Sequence, residues 1–203
     1  MGLREKTADW FSSNIPVWSV WLEKFRAKPN LCFLEIGAFE GMATCWLLDN
    51  ILTDDTSRII VIDTFEGSME HKGRDEFQLG TLYDRFMHNT AIYGGKVSVL
   101  RGKSQWHLRS LVEPLDFVYV DGSHLACDVL EDGVLSFRLL KTGGMLVFDD
   151  YVWDYYDDPH LNPRLGIDSF LNCFKNDYRL VAPPFPHANQ VCIEKISQRD
   201  FMK

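Results

Sequence analysis

The sequence predicts an α/β fold, a mostly parallel sheet with helices on both faces and an antiparallel pair of strands at one edge. Three observations carry that expectation. Five short apolar runs alternate with segments of helical periodicity, the pattern of a parallel sheet. The runs are apolar almost throughout, as strands covered on both faces must be. After the last helical segment, two further strand-like runs follow, separated only by a proline-rich turn, and they read as a closing hairpin.

The elements follow in order. Thr7 to Lys28 carries Trp10, Phe11, Ile15, Trp18, Trp21, Leu22 and Phe25, mostly three or four residues apart, which predicts one or two amphipathic helices with Pro16 at a break or a first turn. These helices dock on the domain's own surface or serve as a lid or dimer contact. Pro29-Asn30 ends this extension, residues 1–30, which belongs to the same domain as the core at 31–203. Leu31 to Leu34 reads as the first strand and Met42 to Leu48 as a helix packed back on it. Between them Gly37 and Gly41 mark positive φ or close approach, so either a ligand lies over this junction or the turn is merely tight. The spacing is not the Gly-x-Gly-x-x-Gly of a dinucleotide fold.

Ile59 to Asp63 is a second strand ending in an acid. Ligands of such sheets lie beyond the carboxyl ends of the strands, so Asp63 faces the same crevice as the glycine turn. There it accepts hydrogen bonds from a ribose diol or simply caps a turn. Thr64 to Gly80 reads as a polar loop flanking the site, with His71 solvated. Leu82 to Ile92 is helical, Gly94-Gly95 stops it, and Val97 to Leu100 is the third strand. Gly102-Lys103-Ser104 is not a phosphate-binding P-loop, because the residue five before Gly102 is Val97 rather than glycine.

Asp116 to Asp121 is the fourth strand, and Gly122-Ser123-His124 turns into a helix over Leu125 to Leu140 that Gly143-Gly144 ends. Met145 to Phe148 then leads to Asp149-Asp150. Each of these strand-end aspartates alone is as easily a helix cap, but their coincidence points to a shared site. Tyr151 to Pro163 forms a substrate wall or a solvated loop. Ile167 to Phe174 is amphipathic, and Tyr178 to Val181 and Gln190 to Ile196 are the closing strands around Pro183-Pro184-Phe185-Pro186.

With 203 residues of ordinary apolar and charged content, the chain fits one domain with a full core. A formal charge of −8 argues against a broad nucleic-acid footprint and favours a small-molecule partner. Five scattered cysteines without a Cys-x-x-Cys suggest reduced, cytoplasmic surroundings. No run approaches the roughly 18 to 20 apolar residues of a membrane span, and the N-terminus lacks a signal-peptide pattern.

The order of elements resembles the class I S-adenosylmethionine-dependent methyltransferases, whose Rossmann-like seven-stranded sheet ends in such a hairpin, and the resemblance covers about Leu31 to Ile196. More narrowly, EIGAFEGMAT, VIDTFEGS, GKSQ and the pair YVDGSH and LVFDDY resemble the metal-dependent O-methyltransferases of the catechol and macrocin-type groups. The resemblance implies that Glu35, Gly37 and Gly41 hold the methionine end of S-adenosylmethionine, and that Asp63 binds the ribose. Gly102, Ser104 and Gln105 lie along the adenine. Asp121, which also borders the cofactor, joins Asp149 and Asp150 in binding a divalent cation. Hard oxygen ligands favour magnesium, calcium or manganese over zinc, and a cation relieves the repulsion of three carboxylates. Where the catechol group has Asp-Asn, this chain has Asp149-Asp150. His124, three residues after Asp121, takes the position of the catalytic base, although a histidine at a helix start also pairs readily with a neighbouring carboxylate.

The implied acceptor is a hydroxylated small molecule such as a sugar, glycoside or catechol-like diol, with Trp153, Tyr155 and Tyr156 suited to stacking on it. A metal-independent methyltransferase, a Rossmann nucleotide-binding protein and a catalytically silent subunit are the alternatives, and a homo-oligomer is left open. His88, His107, His160 and His187 show no ligand spacing and read as structural or surface residues.

Overall fold

The computed structural model describes residues 4–182 and 189–197, so the turn expected at Pro183 to Pro186 and His187 lie outside the described residues. The sheet has seven strands: β1 (Cys32–Ile36), β2 (Arg58–Asp63), β3 (Val97–Arg101), β4 (Leu115–Val120), β5 (Leu140–Phe148), β6 (Tyr178–Leu180) and β7 (Val191–Lys195). Their order is β3-β2-β1-β4-β5-β7-β6. The first five are parallel, and β7 runs antiparallel to both β5 and β6. The fold is therefore the Rossmann-like one expected, and strand order reverses between β1 and β4, where a crevice opens at the carboxyl ends.

Side-chain alternation along the strands explains how the sheet is covered twice. Phe33, Phe117, Tyr119, Met145 and Val147 enter one core, while Leu34, Ile36, Val118, Val120, Leu146 and Phe148 enter the other. The first core is closed by α1 (Ile15–Trp21), α2 (Met42–Asn50) and α3 (Leu82–Thr90). On the second face lie α4 (Ser104–Leu108), α5 (Ala126–Leu139) and α6 (Pro163–Phe174). Trp18 of α1 is fully buried, edge-on to Phe117 and Tyr119 at centroid distances of 5.6 and 4.7 Å. Burying that ring contributes about 3 kcal/mol; with Phe11, Trp21 and Phe25 also buried, the aromatic spacing of the N-terminal segment is core patterning except at the exposed Trp10. Among the described residues, no helix is long and apolar enough to cross a membrane.

Two local expectations need correction. The helix after β4 ends at Leu139, ahead of Gly143-Gly144, and Leu140 already belongs to β5. Lys195, buried on β7, donates from Nζ to the carbonyl oxygens of Phe137 and Leu140 at 2.7 Å each, capping the helix end. The two glycines instead fall where the β4–β5 register slips, between the pairs Leu115↔Leu140 and Phe117↔Met145. His71 is not solvated but buried, packed against Trp10, Phe39 and Phe77 with centroids 4.8 to 5.3 Å away.

Candidate active site

A cleft of about 960 Å³ lies over the carboxyl ends of the central strands. Every residue expected at the site lines it except Gly41. Gly41 sits just behind at φ +80°, opening α2, where a Cβ would come within 3.0 Å of the Phe86 ring.

At one end is the glycine turn. Gly37 adopts φ +81°, and a Cβ there would fall 1.9 Å from the carbonyl oxygen of Asp121, so only glycine lets β1 and β4 approach this closely at the cleft floor. Asp63 shapes the turn directly. Its Oδ2 accepts the backbone N–H groups of Ala38 and Phe39 at 2.7 and 2.9 Å, and its Oδ1 accepts that of Phe65 at 2.7 Å. A carboxylate offers about four acceptor positions, so the turn leaves Asp63 with capacity for a further donor. Glu35 is buried beneath the turn and accepts the Thr44 hydroxyl of α2; burial pushes its carboxyl up to about 8. Ser104 and Gln105 line the cleft at the start of α4, and the Gly102 N–H is fixed on the Asp63 carbonyl at 2.9 Å.

Next to the turn, where β4 and β5 end, are the acids. The Tyr119 hydroxyl contacts Asp121 Oδ2 at 2.8 Å and also Asp149 Oδ2. A phenol has one hydrogen to give, so one of the two carboxyl groups must itself be protonated for both contacts to be hydrogen bonds. Burial and then the neighbouring aspartates supply the reason, holding Asp121 well above the usual carboxylate range and Asp149 up to about 6. Asp149 is further fixed by Gln190, which donates to Oδ2 at 2.7 Å, and by the Asp150 N–H on Oδ1 at 2.8 Å. Gln190 in turn accepts from Trp18 Nε1 at 2.7 Å, which ties the N-terminal helix to the acid cluster.

Asp150 adopts φ +59°, uncommon outside glycine but tolerated by aspartate. Its Oδ2 lies 2.9 Å from His124 Nε2. On the opposite side of the imidazole, Nδ1 lies 2.9 Å from Glu70 Oε1, an ion-pair contact without hydrogen-bond alignment. Burial alone would lower the His124 pKa, but the two carboxylates outweigh it and push the imidazole up to about 10. Glu70 Oε2 is buried without a partner. Trp153 packs over the imidazole at 4.5 Å, and Tyr155 stacks on Trp153 at 5.1 Å.

Asp121, His124 and Asp150 can each place one ligand atom within 4.8 Å of the other two. This group differs from the three aspartates expected, because Tyr119 and Gln190 turn Asp149 toward the core while the left-handed Asp150 reaches His124. Two carboxylates and an imidazole, next to an unpartnered buried carboxylate oxygen on Glu70, form a donor set that fits a divalent cation. Glu70 escaped the sequence reading because it stands in a polar stretch without periodicity. Gln190 escaped it because a residue at a strand start gives no sign of its partners.

Residues 34–151 match a family described as methyltransferase domain. An uncharacterized protein, R132 of Acanthamoeba polyphaga mimivirus, is 27% identical over 146 residues, covering 68% of this chain; the chain spans about 59% of that relative's length. Among solved structures, the O-methyltransferase from Bacillus cereus in complex with SAH has a TM-score of 0.66 at 16% identity, with 96% of this chain and 84% of that one covered. MycE, the methyltransferase of the mycinamycin biosynthetic pathway, in complex with Mg, SAH and mycinamycin VI, has a TM-score of 0.64 at 16% identity over 96% of this chain and 52% of its own. A structure described as a putative rRNA-methylase from Clostridium thermocellum has a TM-score of 0.66 at 15% identity, covering 92% and 97%. These likenesses concern the fold. The family match spans more than half the chain and includes the glycine turn, Asp63, Asp121, His124 and both distal aspartates, and the chain accordingly belongs to the methyltransferase-domain family of S-adenosylmethionine-dependent enzymes.

Proposed function

We propose that the protein moves the methyl group of S-adenosylmethionine to a hydroxyl of a small molecule, with a divalent cation, magnesium, at the acid end of the cleft. The observation that carries this reading is the placement of His124. It stands in the cleft wall between Glu70 and Asp150, and its ring nitrogen belongs to the same group of ligand atoms as Asp121 and Asp150. The donor would lie alongside, with the glycine turn and Glu35 at its methionine portion, Asp63 at the ribose, and Gly102, Ser104 and Gln105 along the adenine.

Asp121 and Asp150 would hold the cation, with Asp149 bordering it. When bound, the cation would lower the pKa of the acceptor hydroxyl and fix its orientation. His124 takes the hydroxyl proton at Nε2, while the charge of Glu70, 2.9 Å from Nδ1, favours a proton on that nitrogen. The C–S bond of the donor breaks as the new C–O bond forms, and S-adenosylhomocysteine remains. In the metal-free arrangement His124 is protonated and serves as counter-ion to Asp150 and Glu70. A cation held on Asp150 would offset the charge of that carboxylate and so lower the imidazole pKa toward the range of a base. Alignment of donor and acceptor supplies much of the rate, up to about 7 to 11 kcal/mol.

Trp153, Tyr155 and Tyr156 would form the acceptor wall, which suits a sugar face or an aromatic ring. The net charge of −8 favours a small acceptor over an RNA backbone. Titration calorimetry with S-adenosylhomocysteine, with and without magnesium, paired with His124→Ala turnover, tests the reading. The variant is expected to bind S-adenosylhomocysteine as the wild type does and to lose turnover about 10²- to 10⁴-fold. Unchanged turnover would return His124 to a structural role.

A further inference from the structure

The loop after β5 carries the aromatic wall, and a residue with no place in the chemistry above holds its far end. Asn162 is 5% exposed and lies behind the cleft rather than in its lining. It stands at the N-cap of α6, where an asparagine side chain ordinarily accepts a backbone N–H of its own helix, yet it makes no such bond. Its amide is directed at the wall instead. Oδ1 accepts the backbone N–H groups of Tyr155 and Tyr156 at 3.3 and 3.0 Å. Nδ2 donates to Asp154 Oδ1 at 2.8 Å and to the Tyr156 carbonyl oxygen at 3.0 Å. A carboxamide has two hydrogens and two lone pairs, so the stretch from Asp154 to Tyr156 engages both of its polar atoms.

Both sides of this clamp lead to His124. Tyr155 and Tyr156 pack on Trp153 with centroids 5.1 and 5.8 Å away, and Trp153 covers the imidazole at 4.5 Å. The near end of the loop is tied down separately, by the Trp153 N–H on the Asp150 carbonyl at 3.0 Å. Behind the clamp, a Cβ on Gly166 would fall 2.2 Å from the carbonyl oxygen of Ala126, so α6 lies directly on the first turn of α5, just after His124. Wall and base are thus referred to the same pair of helices. We propose that Asn162 is a positioning residue that holds the wall of Trp153, Tyr155 and Tyr156 in place over His124 and thereby sets the fit of the methyl acceptor. This rests on the reading of that wall as the acceptor surface.

Asn162→Asp separates this role from helix capping. Aspartate caps a helix as well as asparagine does, so a residue that only started α6 would tolerate the change. In the clamp, the change sets a carboxylate against Asp154 and leaves the Tyr156 carbonyl without its donor. Adding Asp154→Asn returns a donor to that contact. The first readout is the ring-proton NMR signal of His124 in protein with isotope-labelled histidine, assigned with His124→Gln. The indole over the ring shifts this signal, and Trp153→Ala gives its position without the indole. Asn162→Asp is expected to lose most of the shift and the double variant to regain it, with S-adenosylhomocysteine affinity unchanged in both. The second readout is the calorimetric dissociation constant of catechol and of methyl glucoside, each measured in magnesium and S-adenosylhomocysteine. Binding of the probe that Trp153→Ala weakens should fall about 3- to 10-fold in Asn162→Asp, the scale of one aromatic contact.

An unchanged His124 signal in Asn162→Asp overturns the inference, as does a lost shift with full affinity for a probe that Trp153→Ala weakens. Should Asn162→Asp not fold, the double variant decides: a folded protein with the wild-type His124 signal supports the inference, and any other result overturns it. A wild type that binds neither probe, or a Trp153→Ala variant that binds them as the wild type does, overturns the acceptor-wall reading instead, and the His124 signal still decides whether Asn162 places the wall.

Discussion

Removing the imidazole of His124 should change how stability depends on pH. In the metal-free protein, Asp150 and Glu70 flank the imidazole at 2.9 Å on either side and raise its pKa from 6.5 to about 10. For a group whose folded pKa is raised, the stabilisation is complete below the unfolded value, near 6.5, and is lost as pH rises through about 10. At about 1.4 kcal/mol per pH unit that interval sets a ceiling of roughly 5 kcal/mol. The neighbouring acids titrate together with the imidazole, which brings the expected loss to about 2 kcal/mol. Urea denaturation in EDTA at half-unit steps from pH 6 to 10.5 should show the wild type losing that much more stability across the window than His124→Gln. Glu35, with its pKa near 8, and Asp132 contribute slopes of the same sign equally in both proteins, whereas Asp121, which the imidazolium holds down, moves with it. The difference between the two curves therefore reports His124 together with the carboxylates that titrate with it. Parallel curves would refute the assignment of His124 as counter-ion to both carboxylates.

Other outcomes follow from single contacts. Gly37→Ala puts a methyl group 1.9 Å from the Asp121 carbonyl in a left-handed backbone, so β1 and β4 must separate; a loss of about 3 kcal/mol or more in denaturant titration is expected. Lys195→Met leaves the Phe137 and Leu140 carbonyls without their ammonium donor and should cost about 2 kcal/mol without altering S-adenosylhomocysteine affinity. Glu70→Gln exchanges a carboxylate for an amide at His124 Nδ1; turnover should fall about 10-fold or more while cofactor affinity stays within about 2-fold. A Glu70→Gln enzyme with normal turnover would remove Glu70 from the mechanism.

The strands were legible because a buried parallel strand has to be apolar on both faces, and runs such as Ile59 to Ile62 or Phe117 to Val120 leave no other reading. Their carboxyl-terminal acids were legible for the same reason, since Asp63, Asp121 and Asp149 stand out where an apolar run stops. What lay beyond the sequence was set by tertiary partners. The end of α5 is fixed by Lys195, 55 residues after Leu140, and not by the glycines next to it. His71 stands in a polar stretch, yet Trp10 reaches it from the N-terminal segment. The direction of Asp149 depends on Tyr119 and Gln190, and the contact of Glu70 with His124 depends on how a loop of short 3-10 turns folds over the cleft. Local pattern carries burial and period, whereas side-chain direction at a site is decided by residues far away in the chain.

Magnesium-dependent transfer to oxygen is the center of this account. The most direct measurement is methyl transfer from labelled S-adenosylmethionine across a panel of vicinal diols, catechols and glycosides, run in magnesium and in EDTA, with the methylated atom identified by mass spectrometry and NMR. The account predicts an O-methyl product formed in magnesium and lost in EDTA. Full turnover in EDTA, or methylation of nitrogen or carbon, would contradict it.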